Sequence, residues 1–414
     1  MDAMKDTLEH QQGPLSPHAP MSFHEFVLLI AALMALNALA IDIMLPALQE
    51  IGSALGARDE NRSQAILTAY LVGFGVGQLL IGTISDRFGR RAVLLWGLVV
   101  YVMAAALCSL ALSFEALLAG RLLQGLASAA PRVITISVVR DCYKGRRMAS
   151  VMSLSMMVFM AVPVLAPSLG QLIILVAPWR GIFGFLTLYG LVILLWVFLR
   201  MPETLPAAAR RPMAPREVLA GFREVLTTRR TLGYALASGA MFAAMFGFLV
   251  SAQQVFRDVF GLGVYFPLAF AAVALTMSLS SFLNARLVGR LGMTVIAHSA
   301  VAAFTVLSAI MALLARIDLL GFVPFMLLLA GVMFLVEMVF SNFNALAMEP
   351  QGQRAGTASS LIGSISTLIA ALIGSMIGQA YDGTLVPLST GYLALALITI
   401  GIIAVTEKGR FFRK

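Results

Sequence analysis

Three observations predict an all-α polytopic membrane protein of two six-helix bundles: twelve long apolar stretches, charges confined mostly to the connections between them, and a faint internal repeat of roughly 200 residues. Hydrophobic residues fill 60% of the 414 positions and charged residues only 12%, against about 25% charged in soluble domains. Each stretch is about 20 residues or longer, enough to cross roughly 30 Å of hydrocarbon. Lipid offers backbone groups no hydrogen-bond partner, so each is read as a helix.

The first 22 residues are polar, with no basic flank and cleavage site framing the first apolar stretch, and residues 1–25 are read as a cytoplasmic tail. The N-terminal bundle, 26–200, holds spans 26–48, 62–82, 93–113, 116–138, 147–176 and 180–200. Residues 201–230 are read as a central cytoplasmic linker. The C-terminal bundle, 231–406, holds spans 231–255, 265–288, 293–315, 320–346, 355–378 and 388–406, and 407–414 form a second cytoplasmic tail. The repeat sets Arg87, Phe88 and Gly89 on Arg290, Leu291 and Gly292, and Gly145 and Arg147 on Gly352 and Arg354.

The net charge of +9 follows topology rather than a nucleic-acid surface, because the basic residues alternate from one connection to the next. Arg140, Lys144, Arg146 and Arg147 follow the fourth span, and seven arginines lie from Arg200 to Arg230 against three glutamates. Lys408, Arg410, Arg413 and Lys414 close the chain. The odd-numbered connections carry little positive excess: Arg58, Asp59, Glu60 and Arg62, then Glu115, Arg257 with Asp258, Arg316 with Asp318, and Asp382. Both termini are therefore expected in the cytoplasm. Cys108 and Cys142 do not suggest a disulfide framework, and His10, His18, His24 and His298 are too scattered for a metal site, so no metal or cofactor is expected.

Asp42 lies within the first apolar run, where a charge costs at least about 2.5–3.5 kcal/mol near the bilayer centre unless it pairs, faces a cavity or titrates. Counting 1.5 Å per residue from the span ends brings Asp42 and Arg121 to similar depth. Arg132 lies about three turns beyond Arg121 on the same face, at a depth matched by Glu337 in the tenth span. Two buried pairs are expected, Asp42 with Arg121 and Arg132 with Glu337. Separating an acid from a guanidinium, or changing its access to water, alters its hold on a proton, and this makes Asp42 and Arg121 the candidate coupling residues.

The loop GTISDRFGRR, with Gly82, Asp86, Arg87, Gly89, Arg90 and Arg91, resembles the signature loop of the major facilitator superfamily. Its glycines permit tight turns, and its arginines suit an anionic membrane face. Further along come RLLQG (Arg121, Gln124, Gly125), Arg140-Asp141, PVLAPSLGQ (Pro163, Pro167, Gly170), Trp179-Arg180 and Pro202-Glu203-Thr204-Leu205. This set, over about residues 26 to 400, resembles the twelve-helix drug:proton antiporters of the bicyclomycin/chloramphenicol-resistance branch, although Gln171 and Gly289 depart from the pattern.

The resemblance implies that Asp86 docks near Arg140 and the N–H groups of Gly356 and Thr357, and that the fifth span seals the cavity between the bundles. It implies a cavity lined from spans 1, 4, 7 and 10, with Asn37, Gln124, Arg132, Phe246, Gln253, Glu337 and Asn342 as candidates. The function implied is export of small drug-like or toxic compounds by proton antiport, in the bacterial inner membrane and as a monomer. A proton-coupled importer or a metabolite exporter of the same fold is the alternative. No G-x-x-x-x-G-K-[ST] loop supports an ATP-driven pump, and no HExxH or GxSxG motif supports an enzyme.

Overall fold

The computed structural model describes residues 21–57, 60–210 and 215–412. Most of the amino-terminal tail, with His10 and His18, lies outside the described residues, as do Arg58, Asp59, Arg211, Arg413 and Lys414. Every regular element among the described residues is helical. The first half holds α1 (Phe23–Asp42), α2 (Leu48–Ala54), α3 (Ala65–Phe88), α4 (Arg90–Ser109), α5 (Phe114–Cys142), α6 (Gly145–Val176) and α7 (Arg180–Arg200). A linker helix, α8 (Pro215–Thr227), leads to α9 (Arg229–Gln254), α10 (Phe266–Leu291), α11 (Met293–Arg316), α12 (Phe322–Met348), α13 (Ala355–Gln379) and α14 (Val386–Thr406). Among the described residues twelve helical stretches are long and apolar enough to cross a membrane, α1 and α2 counting as one.

Local chemistry sets the ends of these helices. Ser22 caps α1 by accepting the Glu25 N–H at 3.2 Å, and Ser113 caps α5 by accepting that of Ala116 at 3.1 Å. The first span was expected to be one helix; instead α1 stops at Asp42 and a short 3-10 turn, Leu45–Ala47, precedes α2. Pro46 lacks the N–H that an uninterrupted helix would use, and its ring suits the first turn of a new segment. Between α3 and α4 the backbone turns at Gly89 with φ +96°, and between α10 and α11 it turns at Gly292 with φ +84°. Both positions fall in the region that L side chains avoid, so the faint sequence repeat is also a repeat of backbone shape.

Contacts between the two bundles run along α3 against α13 and α6 against α10. Gln78 donates to the Thr367 hydroxyl at 3.0 Å, and the Ser364 hydroxyl donates to the Gly75 carbonyl at 2.7 Å. At the end remote from the termini, carboxamides join the bundles. Gln64 donates to Gln254 at 2.5 Å and to the Gly378 carbonyl at 3.1 Å, and Gln254 donates to Asn61 at 2.6 Å. Asn61 in turn donates to the carbonyls of Gln379 and Tyr381, and Gln253 donates to that of Pro46. This end is closed. Near the termini, the Tyr234 hydroxyl donates to Glu407 at 2.8 Å, Arg230 pairs with the same carboxylate at 3.1 Å, and the buried His298 accepts the Phe412 N–H at 3.1 Å. The carboxyl-terminal segment is thereby tied to α9 and α11.

Candidate functional site

Asp42, the last residue of α1, is only 5% exposed, and no hydrogen bond or ion pair reaches its carboxyl among the described residues. The expected pair with Arg121 is not formed. Arg121 is fully buried and its donors are taken up elsewhere: Nε by the Ile66 carbonyl at 3.2 Å, Nη1 by Gln124 Oε1 at 2.6 Å and Nη2 by the Ala40 carbonyl at 3.1 Å. Its guanidinium also lies 4.3 Å from the centroid of the Tyr70 ring. The depth argument brought the two side chains to neighbouring turns. Pairing fails because α1 ends at Asp42 and Arg121 meets the carbonyl two residues earlier, so backbone acceptors take up the guanidinium.

From Arg121 a polar stripe runs down one face of α5 through Gln124, Ser128, Arg132 and Thr135. Asn37 on α1 accepts the Tyr70 hydroxyl at 2.9 Å and meets Ser128 at 3.4 Å. Gln124 Nε2, Arg132 Nη1 and Thr135 Oγ1 are buried with no partner among the described residues. Buried polar atoms of this kind are commonly met by water or ligand. The stripe can therefore hold polar groups against an otherwise apolar wall.

Glu337 on α12 does not meet Arg132; it accepts hydrogen bonds from Ser281 at 2.8 Å and Ser341 at 3.0 Å. Arg132 belongs to the N-terminal bundle and Glu337 to the C-terminal one, and Glu337 is satisfied within its own. Three other cavity candidates take different places. Gln253 belongs to the closed end, Phe246 is buried in packing against Gly374, and Asn342 donates to Asn284 at 2.7 Å and to its own helix at the Met338 carbonyl. Polar or aromatic character on a span assigned to the cavity by resemblance picked out these residues but does not tell a cavity wall from a helix contact.

Gly170 of the PVLAPSLGQ motif packs directly on the Ile43 carbonyl, where a Cβ would meet the oxygen. The residue after Asp42 is thus held by the fifth span, on a helix that also carries Pro163 and Pro167 and lies against α10 of the other bundle. That link was not legible in either motif alone.

In the signature loop, Asp86 pairs with Arg90 at 2.6 Å rather than with Arg140, which is exposed, and no hydrogen bond joins it to Gly356 or Thr357. Arg90 also reaches Asp141 at 3.3 Å and Ser85 at 2.6 Å. The main anchor is Glu203, whose carboxylate accepts the N–H of Arg90 at 2.8 Å and of Arg91 at 3.2 Å. An acid at a helix start is favoured by the free N–H groups there, and Glu203 supplies it from the end of α7 to the start of α4. Arg87 and Gly82 stay close to α3's end, with Gly82 opposite Ser360 of α13.

Twelve membrane-length helices in two bundles make a polytopic architecture that secondary transporters share. The family profile described as Major Facilitator Superfamily matches residues 29–405, and the chain belongs to that superfamily, as a multi-pass membrane transporter. It is 32% identical over 384 residues to the Uncharacterized MFS-type transporter YdgK of Bacillus subtilis (strain 168), covering 91% of this chain and 93% of that protein. It is 31% identical over 379 residues to the Bicyclomycin resistance protein homolog of Haemophilus influenzae, covering 91% of this chain and 94% of the other. The likeness agrees with the branch read from the motifs. Among solved structures, that of the human organic anion transporter MFSD10 (TETRAN) matches with a TM-score of 0.70 at 18% identity, over 93% of this chain and all of the other.

Proposed function

We propose that this chain exports small drug-like or toxic compounds across a bacterial inner membrane in exchange for protons, as a monomer with both termini in the cytoplasm. The observation that carries the reading is Asp42, a carboxyl in the bundle interior with no ion-pair partner among the described residues, at the point where α1 breaks and α6 presses on the next residue. A charge gained or lost there acts strongly on its surroundings, because the interior screens it weakly. In the state described, the Gln49–Gln253 end is closed, and among the described residues Asp86 pairs with Arg90 and makes no hydrogen bond to Gly356 or Thr357, which suits loading from the cytoplasm.

On this reading a compound enters along the α5 stripe as Asp42 gives up its proton to the cytoplasmic side. The carboxamide lattice then parts, the opposite end shuts, and a proton arriving from outside returns Asp42 to its starting form as the compound leaves. The similarity to a protein named as a bicyclomycin resistance protein homolog supports a toxic, drug-like cargo.

The test uses purified protein in proteoliposomes under an imposed pH gradient, with cargo chosen by a susceptibility panel that includes bicyclomycin. Asp42→Asn should abolish gradient-driven movement while leaving exchange of cargo for cargo. Full gradient-driven transport by that variant would overturn the proton role. In cells, an uncoupler should raise cargo accumulation, and a fall would identify an importer.

A further inference from the structure

On the outer surface of the N-terminal bundle, α4 and α7 frame a groove of about 790 Å³ near the end that carries the termini. Its floor and walls include Leu95, Trp96, Val99, Leu191 and Leu195. Trp96 is 71% exposed, as befits a ring that faces lipid rather than protein. From Arg91 to Val99 the groove runs about 12 Å along α4, so it reaches from the membrane face into the hydrocarbon.

The mouth has a different chemistry. It carries Arg91 and Arg210, with Glu203 as its acid. That acid is engaged by three backbone N–H groups, those of Arg90, Arg91 and Leu205. Arg91 gives Nη2 to the Phe198 carbonyl at 2.7 Å, while its Nε is buried without an acceptor among the described residues. Arg210 is exposed and forms no ion pair with Glu203. An apolar trough whose rim offers guanidinium donors fits a molecule with an anionic phosphate at one end and a hydrocarbon chain at the other.

We infer that this groove is a binding site for one anionic phospholipid, its phosphate at Arg91 and Arg210 and an acyl chain along Trp96 and Leu195. The site stands apart from the α5 stripe and rests on the membrane-spanning fold, not on the export reading. Charge complementarity at the rim selects the headgroup, and the depth of the trough selects a chain. Because Arg91 and Glu203 belong to the same corner as the signature loop, a bound lipid would brace the junction of α4, α7 and the linker.

Native mass spectrometry of the purified full chain, exchanged into phosphatidylglycerol or phosphatidylcholine, reads the site directly. Wild type should retain one phosphatidylglycerol in preference to phosphatidylcholine. Arg210→Gln should lower that retention about fivefold, the scale of one arginine near an anionic lipid surface. Leu195→Trp, which fills the trough, should lower retention of either lipid, with melting temperature checked to show that it folds. A photoreactive residue at Trp96 in the otherwise native chain should cross-link to the acyl chain. Equal retention of both lipids by wild type, no loss in Arg210→Gln, or displacement of the lipid by inorganic phosphate alone would each overturn the proposal. None of these readouts depends on transport, so failure here is distinct from failure of the proton-coupled reading.

Discussion

Gln253 closes on Pro46 with both ends of its carboxamide engaged: Nε2 donates to the Pro46 carbonyl at 2.8 Å, and Oε1 accepts the Gln49 N–H at 3.2 Å. The break in α1 that Pro46 creates therefore has a partner in the opposite bundle. Orphaning buried hydrogen-bonding groups costs about 1–3 kcal/mol. Gln253→Ala should shift the equilibrium roughly tenfold toward the state open at this end. Spin labels on the exposed Ser53 and Thr384, in a chain lacking Cys108 and Cys142, would report it as a longer distance population. An unchanged distribution would show that the lattice does not depend on this residue.

If cargo and proton compete at Asp42, as proposed, cargo binding must be tighter where the carboxyl is unprotonated. The sign is fixed by linkage: cargo affinity should rise with pH across the titration of Asp42, and cargo binding should release protons. Asp42→Asn should flatten the profile. Calorimetry in two buffers of different ionisation enthalpy measures the protons released, and a pH-independent affinity in wild type would exclude the competition.

Arg121 spreads its contacts over Ile66, Ala40, Gln124 and Tyr70. A lysine has no planar fork and cannot reach two carbonyls and a carboxamide in those directions. Arg121→Lys should destabilise the N-terminal bundle by about 2 kcal/mol, the cost of leaving one or two buried acceptors unmet. Thermal unfolding in detergent measures it. A melting temperature equal to wild type would show that the guanidinium geometry is dispensable.

Most of the helix plan was legible because bilayer thickness and the absence of backbone partners in lipid leave few alternatives for long apolar runs. The match of Gly89 with Gly292 was legible too, since a residue free to take positive φ leaves its mark on the sequence. The break after Asp42 was not read from the sequence: Pro46 stands there, but the unbroken apolar run around it reads as one continuous span. Pairings were less legible. Depth along a helix says which turns are level but not which acceptors lie nearer, and for Arg121 the backbone carbonyls were nearer. The carboxamide lattice left only scattered polar residues near span ends, Asn61, Gln64 and Gln254, and nothing in their spacing joins them. Glu203 was noted as part of a motif, while its action on Arg90 and Arg91 required the fold.

Gly170 on α6, with Gly184 on α7 as a control position, tests how α6 governs α1. A Cβ on Gly170 would meet the Ile43 carbonyl, whereas a Cβ on Gly184 would meet nothing within 4 Å. Gly170→Ala must push α6 away from the broken end of α1, at a cost of about 1–3 kcal/mol for overpacking. It should also displace the residue next to Asp42, so transport should fall further than stability alone explains. Gly184→Ala should be neutral or slightly stabilising, since alanine favours a helix over glycine. Parallel melting curves and gradient-driven transport rates decide the matter. If both variants behave like wild type, the contact between α6 and Ile43 plays no part in coupling.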